Sequence, residues 1–485
     1  MPETAAVLVV DDERVVRESC ERVLRGDGQT VTCASDGLEG LEKCRSAIFD
    51  VVLVDLKMPG LDGMDLLRSI RDEKPELQVV ILTGYSTVAT ATEAMKMGAF
   101  DYVTKPFTPD ELCHVVREAL KHKRSGLGPA SLEKCRVMTC DELPRFVQRL
   151  LSNFEVWGPK DKGGSVAFDR IGSASELALD YSTTILPPKK LFYPQRQTLM
   201  RYSMGTTPTI RIPEKDSQQR VVMGIHPCDL HALRILDVVL TSERDDPVYR
   251  GERKRTLVVG VDCEPQDSCF CSAMDANEPP QGTDLFLRPL DGRFLVEMGS
   301  PAGERLLGEY ADTMDATAGD ISAVRHFSDR KRGKIGRSLD RDEIGEIVHN
   351  RFDDDVWGEI AEKCLGCGSC SLVCPTCYCF NVLDSVSLDL SNGRRHRVWD
   401  SCILQDFALV AGPHNFRATR ASRMRSWYYH KFRGLRETHG LVGCVGCGRC
   451  IRSCPAGIEI TEVVKTLEIT EAVKTLQGGS NGDKR

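Results

Sequence analysis

Residues 51–63, VVLVDLKMPGLDG, decide the fold of the N-terminal part of this chain. The apolar run Val51–Val54 ends in a carboxylate, Asp55, and is closed by Pro59, Gly60 and Gly63. A short continuous run of this kind reads as a strand buried on both faces, as in parallel sheets. Working outward, comparable runs at Ala6–Val10, Thr30–Cys33, Val79–Thr83 and Phe100–Thr104 alternate with amphipathic stretches. The alternation predicts an α/β domain over residues 1–124 with a doubly wound, five-stranded parallel sheet. Such sheets gather their sites at the carboxyl ends of the strands. The sequence puts Asp11 and Asp12 after the first strand, Asp55 at the end of the third, Thr83 at the end of the fourth and Lys105 after the fifth. Three carboxylates at one rim repel one another unless a hard cation neutralises them, and oxygen donors suit Mg²⁺. That ion can also clamp a phosphoryl group during its transfer to a carboxylate. Helix caps and solvated loop acids are the plainer use of the same residues. Thr and Lys at matching strand ends favour the site.

The segments VVDDE (9–13), VLVDLKMPGLDG (52–63), ILTGYS (81–86) and GAFDYVTKPF (98–107) closely resemble the response-regulator receiver family. The resemblance implies a flavodoxin-like fold with Asp55 as phosphoacceptor and Asp11, Asp12 and Asp55 holding Mg²⁺. It also implies that Lys105 pairs with the acyl phosphate, Thr83 turns towards a phosphoryl oxygen, and Tyr102 moves inward in response. The output face would be that of the fourth and fifth helices, the partner a sensor histidine kinase, and Lys105–Pro106 often a cis peptide. No DNA-binding helix-turn-helix pattern follows residue 124, so direct nucleic-acid binding is not expected.

With 485 residues, 41% of them hydrophobic and 28% charged, the chain has the composition of a soluble protein of roughly three domains. It has no apolar run long enough to span a bilayer. The opening MPETAAVLVVDDE lacks the basic and apolar regions of a signal peptide, so a cytoplasmic location is expected. A net charge of −7 gives no general attraction to nucleic acid. The 21 cysteines, crowded into the second half, are more than a reducing compartment carries without metal or redox chemistry.

Cys364, Cys367, Cys370 and Cys374 stand as C-x2-C-x2-C-x3-C-P, and Cys444, Cys447, Cys450 and Cys454 repeat the pattern. This is the bacterial dicluster ferredoxin spacing, in which three cysteines ligate one 4Fe-4S cluster and the fourth ligates the other. One cluster is therefore expected on Cys364, Cys367, Cys370 and Cys454, and the second on Cys444, Cys447, Cys450 and Cys374. Zinc also accepts four thiolates, but its ribbons usually separate two C-x2-C pairs widely. The glycines of CLGCGSC and CVGCGRC let the loops turn tightly, so that backbone amides face the sulfurs. Between the motifs lie Cys377, Cys379 and Cys402, read as thiols packed beside the clusters. A basic aromatic tract from Arg417 to Arg436 also lies there and would offset cluster charge or dock an acidic partner.

Residues 125–138 form a linker rich in Gly, Ser and Pro, followed by a mixed α/β domain at 139–345, a ferredoxin-like, α-helical dicluster region at 346–465 and a tail at 466–485. The tail holds the second copy of a duplication, ITEVVKTLE then ITEAVKTLQ, and ends in GGSNGDKR, expected to be disordered. In the middle domain Cys228, Cys263, Cys269 and Cys271 are candidate ligands of a third Fe-S cluster, with structural thiols as the competing reading. Cys135 and Cys140 read as bystanders. No Gly-rich dinucleotide or P-loop motif occurs.

KKLFYPQ (189–195), GIHPCDLHAL (224–233), DPVYRGER (246–253), CFCSAM (269–274), CPTCYCF (374–380) and RMRSWYYHKF (423–432) resemble the beta subunit of sulfhydrogenases and the related A subunit of anaerobic sulfite reductase. HPCD stands where those relatives carry Arg-Pro-Cys-Asp. The resemblance implies an iron–sulfur electron-relay subunit without its own substrate site. Its partners would be flavin- and nicotinamide-binding subunits, or subunits like those of hydrogenase, sulfite reductase or heterodisulfide reductase. A redox-responsive two-component signalling protein is the alternative, in which the clusters sense rather than carry electrons.

Overall fold

The computed structural model describes residues 5–478, apart from 48, 75–76, 85–93, 95–96, 125–133, 205–206, 213–217, 243–244 and 413. The expected fourth receiver helix, most of the linker and residues 479–485 of the GGSNGDKR end therefore lie outside the described residues. The chain divides into two compact units, Met1–Cys135 with Asp315–Ser322, and Arg136–Met314 with Ala323–Arg485.

In the smaller unit β1 (Ala6–Val10), β2 (Thr30–Ala34), β3 (Val51–Asp55), β4 (Gln78–Thr83) and β5 (Asp101–Thr104) form a parallel sheet in the order β2-β1-β3-β4-β5. All five residues of β3 and all six of β4 are buried, which is why these strands lack the polar alternation of a one-sided sheet. Helices α1 (Arg14–Gly26), α2 (Gly37–Ser46) and α3 (Gly63–Glu73) cover the sheet. The Asp36 and Asp62 carboxylates accept from the Glu39 and Asp65 amides and so fix where α2 and α3 begin. Gly63 is dictated by space, since a Cβ there would lie 2.2 Å from the carbonyl oxygen of Asp55. The unit ends in the helix Pro109–Arg124.

The larger unit carries a mixed sheet of β6 (Cys135–Thr139), β7 (Glu155–Asp161), β8 (Val166–Arg170), β11 (Arg220–Ile225), β12 (Thr256–Val261), β13 (Leu285–Leu290) and β14 (Arg293–Met298). Their order is β6-β14-β13-β12-β11-β7-β8. β7, β11, β12 and β13 are mutually parallel. Along β11, Val221 and Met223 enter one core while Val222 and Ile225 enter the other, so the strand is apolar from Val221 onward. β11 runs through His226 into the helix Pro227–Thr241, whose fixed-φ proline stands at the first turn.

A second, antiparallel sheet joins β9 (Arg196–Ser203) and β10 (Thr209–Arg211) to the hairpin Phe380–Val386 and Asn392–Trp399. The hairpin occupies part of the insertion between the two cysteine motifs. Segments 139–345 and 346–465 share one core, in which Ala232 and Phe270 pack with Trp357, Tyr428, Val445 and Leu467. Both copies of the ITE repeat lie in a single helix, Ile460–Gly478.

Candidate functional site

At the carboxyl edge of the parallel sheet, ligand atoms of Asp11, Asp12 and Asp55 lie within 4.8 Å of one another. Asp11 and Asp55 are buried, and Asp12 is exposed at the opening. Lys105 Nζ donates to Asp11 Oδ2 at 2.6 Å and stands 3.3 Å from Asp55 Oδ2. Burial raises the Asp55 carboxyl above its usual range against the attraction of Lys105, with Asp11 adding repulsion. Burial alone would lower the Lys105 ammonium, but Asp11 and Asp55 outweigh it and hold the group charged. Two buried acids with only one lysine leave net negative charge, which a divalent oxygen-seeking cation would neutralise. Thr83 is buried at the end of β4, Tyr102 is half-exposed on β5, and Lys105–Pro106 is cis.

Twelve cysteines of the larger unit gather in three neighbouring groups. Cys364, Cys367, Cys370 and Cys454 line one cavity together with Cys450, against Ile403, Met424, Trp427 and Tyr428. Cys374 interacts electrostatically with Cys444, Cys447 and Cys450, so the fourth cysteine of each motif faces the first three of the other. Cys228, Cys263, Cys269 and Cys271 line a third cavity that Cys447 also borders. Among the described residues no cysteine group brings three ligand atoms within 4.8 Å of one another. A single zinc ion would hold its sulfurs about 3.8 Å apart, so these thiols are spaced more widely than one such ion would set them.

The surroundings fit thiolate-bound clusters. The amides of Gly366, Gln266 and Ile458 donate to the sulfurs of Cys364, Cys269 and Cys454 at 3.4, 3.4 and 3.3 Å. A Cβ on Gly446 or Gly448 would lie 2.4 Å from the carbonyl oxygen of Phe270 or Ser268, and both residues have positive φ. The second motif therefore seats directly on the CFC segment of the middle region. In the third cavity, His226 Nε2 and Asn277 Nδ2 are buried without a partner, as expected where a further group completes the site.

Buried cations accompany the thiols, among them Lys189, which donates to the carbonyls of Cys374 and Cys377 at 2.9 and 2.7 Å. Lys431 Nζ lies 3.1 Å from Cys374 Sγ and donates to Thr376 Oγ1 at 2.9 Å. Lys331 borders the third cavity, bound to Asp262 and donating to Asn277 O at 2.6 Å. Arg449, between Cys447 and Cys450 in the second motif, makes a bidentate pair with Asp229 at 2.6 and 2.7 Å. Asp229 follows Cys228, so this pair ties the third cysteine set to the second motif. These cations offset the negative charge that four thiolates bring to each centre.

His226 is buried and stacked on Tyr181 at 4.0 Å between ring centroids, and its pKa is pushed far down by burial, then by Arg449 and Lys331. It is a neutral ring inside the third cysteine set. Of the two roles expected for the basic tract 417–436, the position of Lys431 suits offsetting charge at the thiols. Arg423 and Lys431 are buried, Arg423 donating to the carbonyls of Ile403 and Ala418 and Lys431 facing Cys374, while Arg433 and Arg436 reach the rim. Lys331 and the Arg449–Asp229 pair carried no sequence signal, because nothing in KRGK or CGRC distinguishes a buried cation from a surface one.

A model of the response regulator receiver domain matches residues 7–117, and a model of the 4Fe-4S dicluster domain matches residues 363–458. The chain is 37% identical over 323 residues to sulfhydrogenase 2 subunit beta of Pyrococcus furiosus, covering 66% of this chain and 94% of that one. It is 41% identical over 127 residues to the DNA-binding transcriptional regulator NtrC of Escherichia coli K12, covering 26% of this chain and 27% of the regulator. The chain thus spans about a quarter of that regulator's length. A solved receiver domain from Clostridium thermocellum is 42% identical, with 24% of this chain and 96% of that chain covered at a TM-score of 0.23. No helix among the described residues is long and apolar enough to cross a membrane.

Proposed function

Since the chain belongs to the family of the sulfhydrogenase beta subunit and carries a receiver domain ahead of it, we propose that it is the iron–sulfur electron-transfer subunit of a cytoplasmic multi-subunit oxidoreductase, under phosphorelay control through Asp55. The observation that carries the reading is the continuity of the thiol centres. Cys450 borders the cavity of Cys364, Cys367, Cys370 and Cys454, and Cys447 borders that of Cys228, Cys263, Cys269 and Cys271. The second motif thus stands between two other thiol sets, an arrangement suited to one-electron relay.

A 4Fe-4S group supplies one-electron exchange without a proton or a substrate site. The chain's own residues hold the centres, exclude water through Trp427, Tyr428 and Ile403, and place the cations Lys331, Lys431 and Arg449 against the thiolates. Three 4Fe-4S sites follow, the third on Cys228, Cys263, Cys269 and Cys271. The reaction's ends belong to partner subunits that bind flavin and nicotinamide or resemble hydrogenase, sulfite reductase or heterodisulfide reductase.

In the receiver, Asp55 accepts phosphate from a sensor histidine kinase, with Mg²⁺ on Asp11, Asp12 and Asp55, Lys105 beside the acyl phosphate, and Thr83 and Tyr102 relaying the change. Phosphorylation adds about two negative charges there. Beryllofluoride, a phosphate mimic, is expected to change complex assembly or electron-transfer rate, and Asp55→Asn to abolish the effect. Equal assembly and equal turnover with the mimic demonstrably bound would contradict the regulatory role.

A further inference from the structure

Beside the thiol centres lies a cavity of about 850 Å³ whose wall includes Cys379 and Cys402. Neither belongs to the ligand sets above. The two thiols come from different segments, the end of the first motif's loop and the turn after the hairpin, yet they hydrogen-bond to one another. The remaining wall is largely aromatic, with Phe407 and Tyr429, and carries Arg417 and His430. Asp353 at the same wall is already paired with Arg425 at 2.7 Å. The volume lies within the range of small-molecule sites, and an apolar wall with few polar groups is their usual character.

We propose that Cys379 and Cys402 form a redox-active dithiol that exchanges with a low-molecular-weight organic disulfide carrying an anionic group, bound in this cavity near Arg417. The proposal adds a substrate site to a chain otherwise read as a relay and stands whether or not that reading holds. Cys379 is the attacking group, being the less buried of the two. The hydrogen bond with Cys402 lowers its pKa below that of an ordinary thiol, against the opposing effect of burial. The Cys379 thiolate attacks one sulfur of the ligand, breaks its S–S bond and releases the first thiolate. Cys402, losing its proton, then attacks the Cys379 sulfur, releases the second thiolate and closes a Cys379–Cys402 disulfide. Two electrons pass from the dithiol to the ligand, and the two dithiol protons end on the released thiols. A small dithiol reverses the exchange and restores the pair.

Glutathione disulfide is the probe, added anaerobically to the full-length, cluster-loaded protein, with acid quench and peptide mapping. The expected result is a disulfide joining the CYCF and WDSC peptides, formed at least ten-fold faster than any modification of the buried Cys20 and Cys44. Cys402→Ser should stop at a stable glutathione adduct on Cys379, and Cys379→Ser should leave Cys402 unmodified, with iron content unchanged in both. The wild-type mapping stands by itself if a variant does not fold. Modification of Cys379 and Cys402 no faster than Cys20 and Cys44 would overturn the proposal. Loss of iron from either folded variant would do so too, by making the residue a metal ligand.

Discussion

Asp229→Asn removes the charge opposite a buried arginine at the join between two thiol sets. Asp229 and Arg449 are 1% and 2% exposed, and their bidentate contacts are 2.6 and 2.7 Å. In the variant Arg449 keeps its 2.8 Å bond to the Thr184 carbonyl but loses its counter-charge. Leaving one member of a buried pair unmatched costs about 3–5 kcal/mol. The amide preserves one acceptor, which places Asp229→Asn near about 3 kcal/mol and Asp229→Ala near about 5 kcal/mol. Replacing both residues by leucine removes the unmatched charge, so the double variant should cost less than the sum of the single ones by about 2–3 kcal/mol. Anaerobic urea unfolding of the full chain, followed by tryptophan fluorescence and visible absorbance, measures each value. A loss below about 1 kcal/mol for Asp229→Asn, or additive single and double effects, would refute the assignment of this pair as the clamp.

Three further outcomes are expected. Anaerobic protein should bind about twelve iron atoms, falling to about eight in the Cys269→Ser/Cys271→Ser variant; unchanged iron, sulfide and reduced-state spectrum would remove the third centre. Gly63→Ala should destabilise the receiver unit by about 1–3 kcal/mol, read by denaturant titration, because its Cβ would meet the Asp55 carbonyl oxygen at 2.2 Å. Alkylation of Cys379 by iodoacetamide should rise at lower pH than that of an ordinary thiol, which responds near pH ~8.5, because the hydrogen bond with Cys402 lowers its pKa.

The receiver fold was legible because its central strands β1, β3 and β4 are buried on both faces and appear as runs of Val, Ile and Leu, each stopped by a polar site residue, Asp11, Asp55 or Thr83. The ferredoxin spacing was legible because a cluster needs thiols at fixed intervals in a tight loop. Cys228, Cys263, Cys269 and Cys271 could be nominated as metal-binding residues, but their meeting depends on β11 delivering Cys228 to a helix start beside the CFC segment. The hairpin Phe380–Trp399 escaped because most of its first strand is exposed and it pairs with β9, far away in sequence. The shared core of the middle and dicluster segments was equally hidden, since apolar residues such as Phe270 and Val445 carry no record of each other. Which residues of the basic tract turn inward was not legible, because it depends on the position of Cys374 beside Lys431 and of the Ile403 carbonyl beside Arg423.

The most direct measurement is anaerobic isolation of the native complex from its host, followed by the rate at which the chain's iron–sulfur absorbance is bleached and restored while the complex turns over. Redox subunits are expected to copurify in fixed ratio, with bleaching and recovery keeping pace with steady-state electron flux. Copurification of a kinase or regulator alone, with iron–sulfur absorbance that changes without any sustained flux, would contradict the electron-relay role.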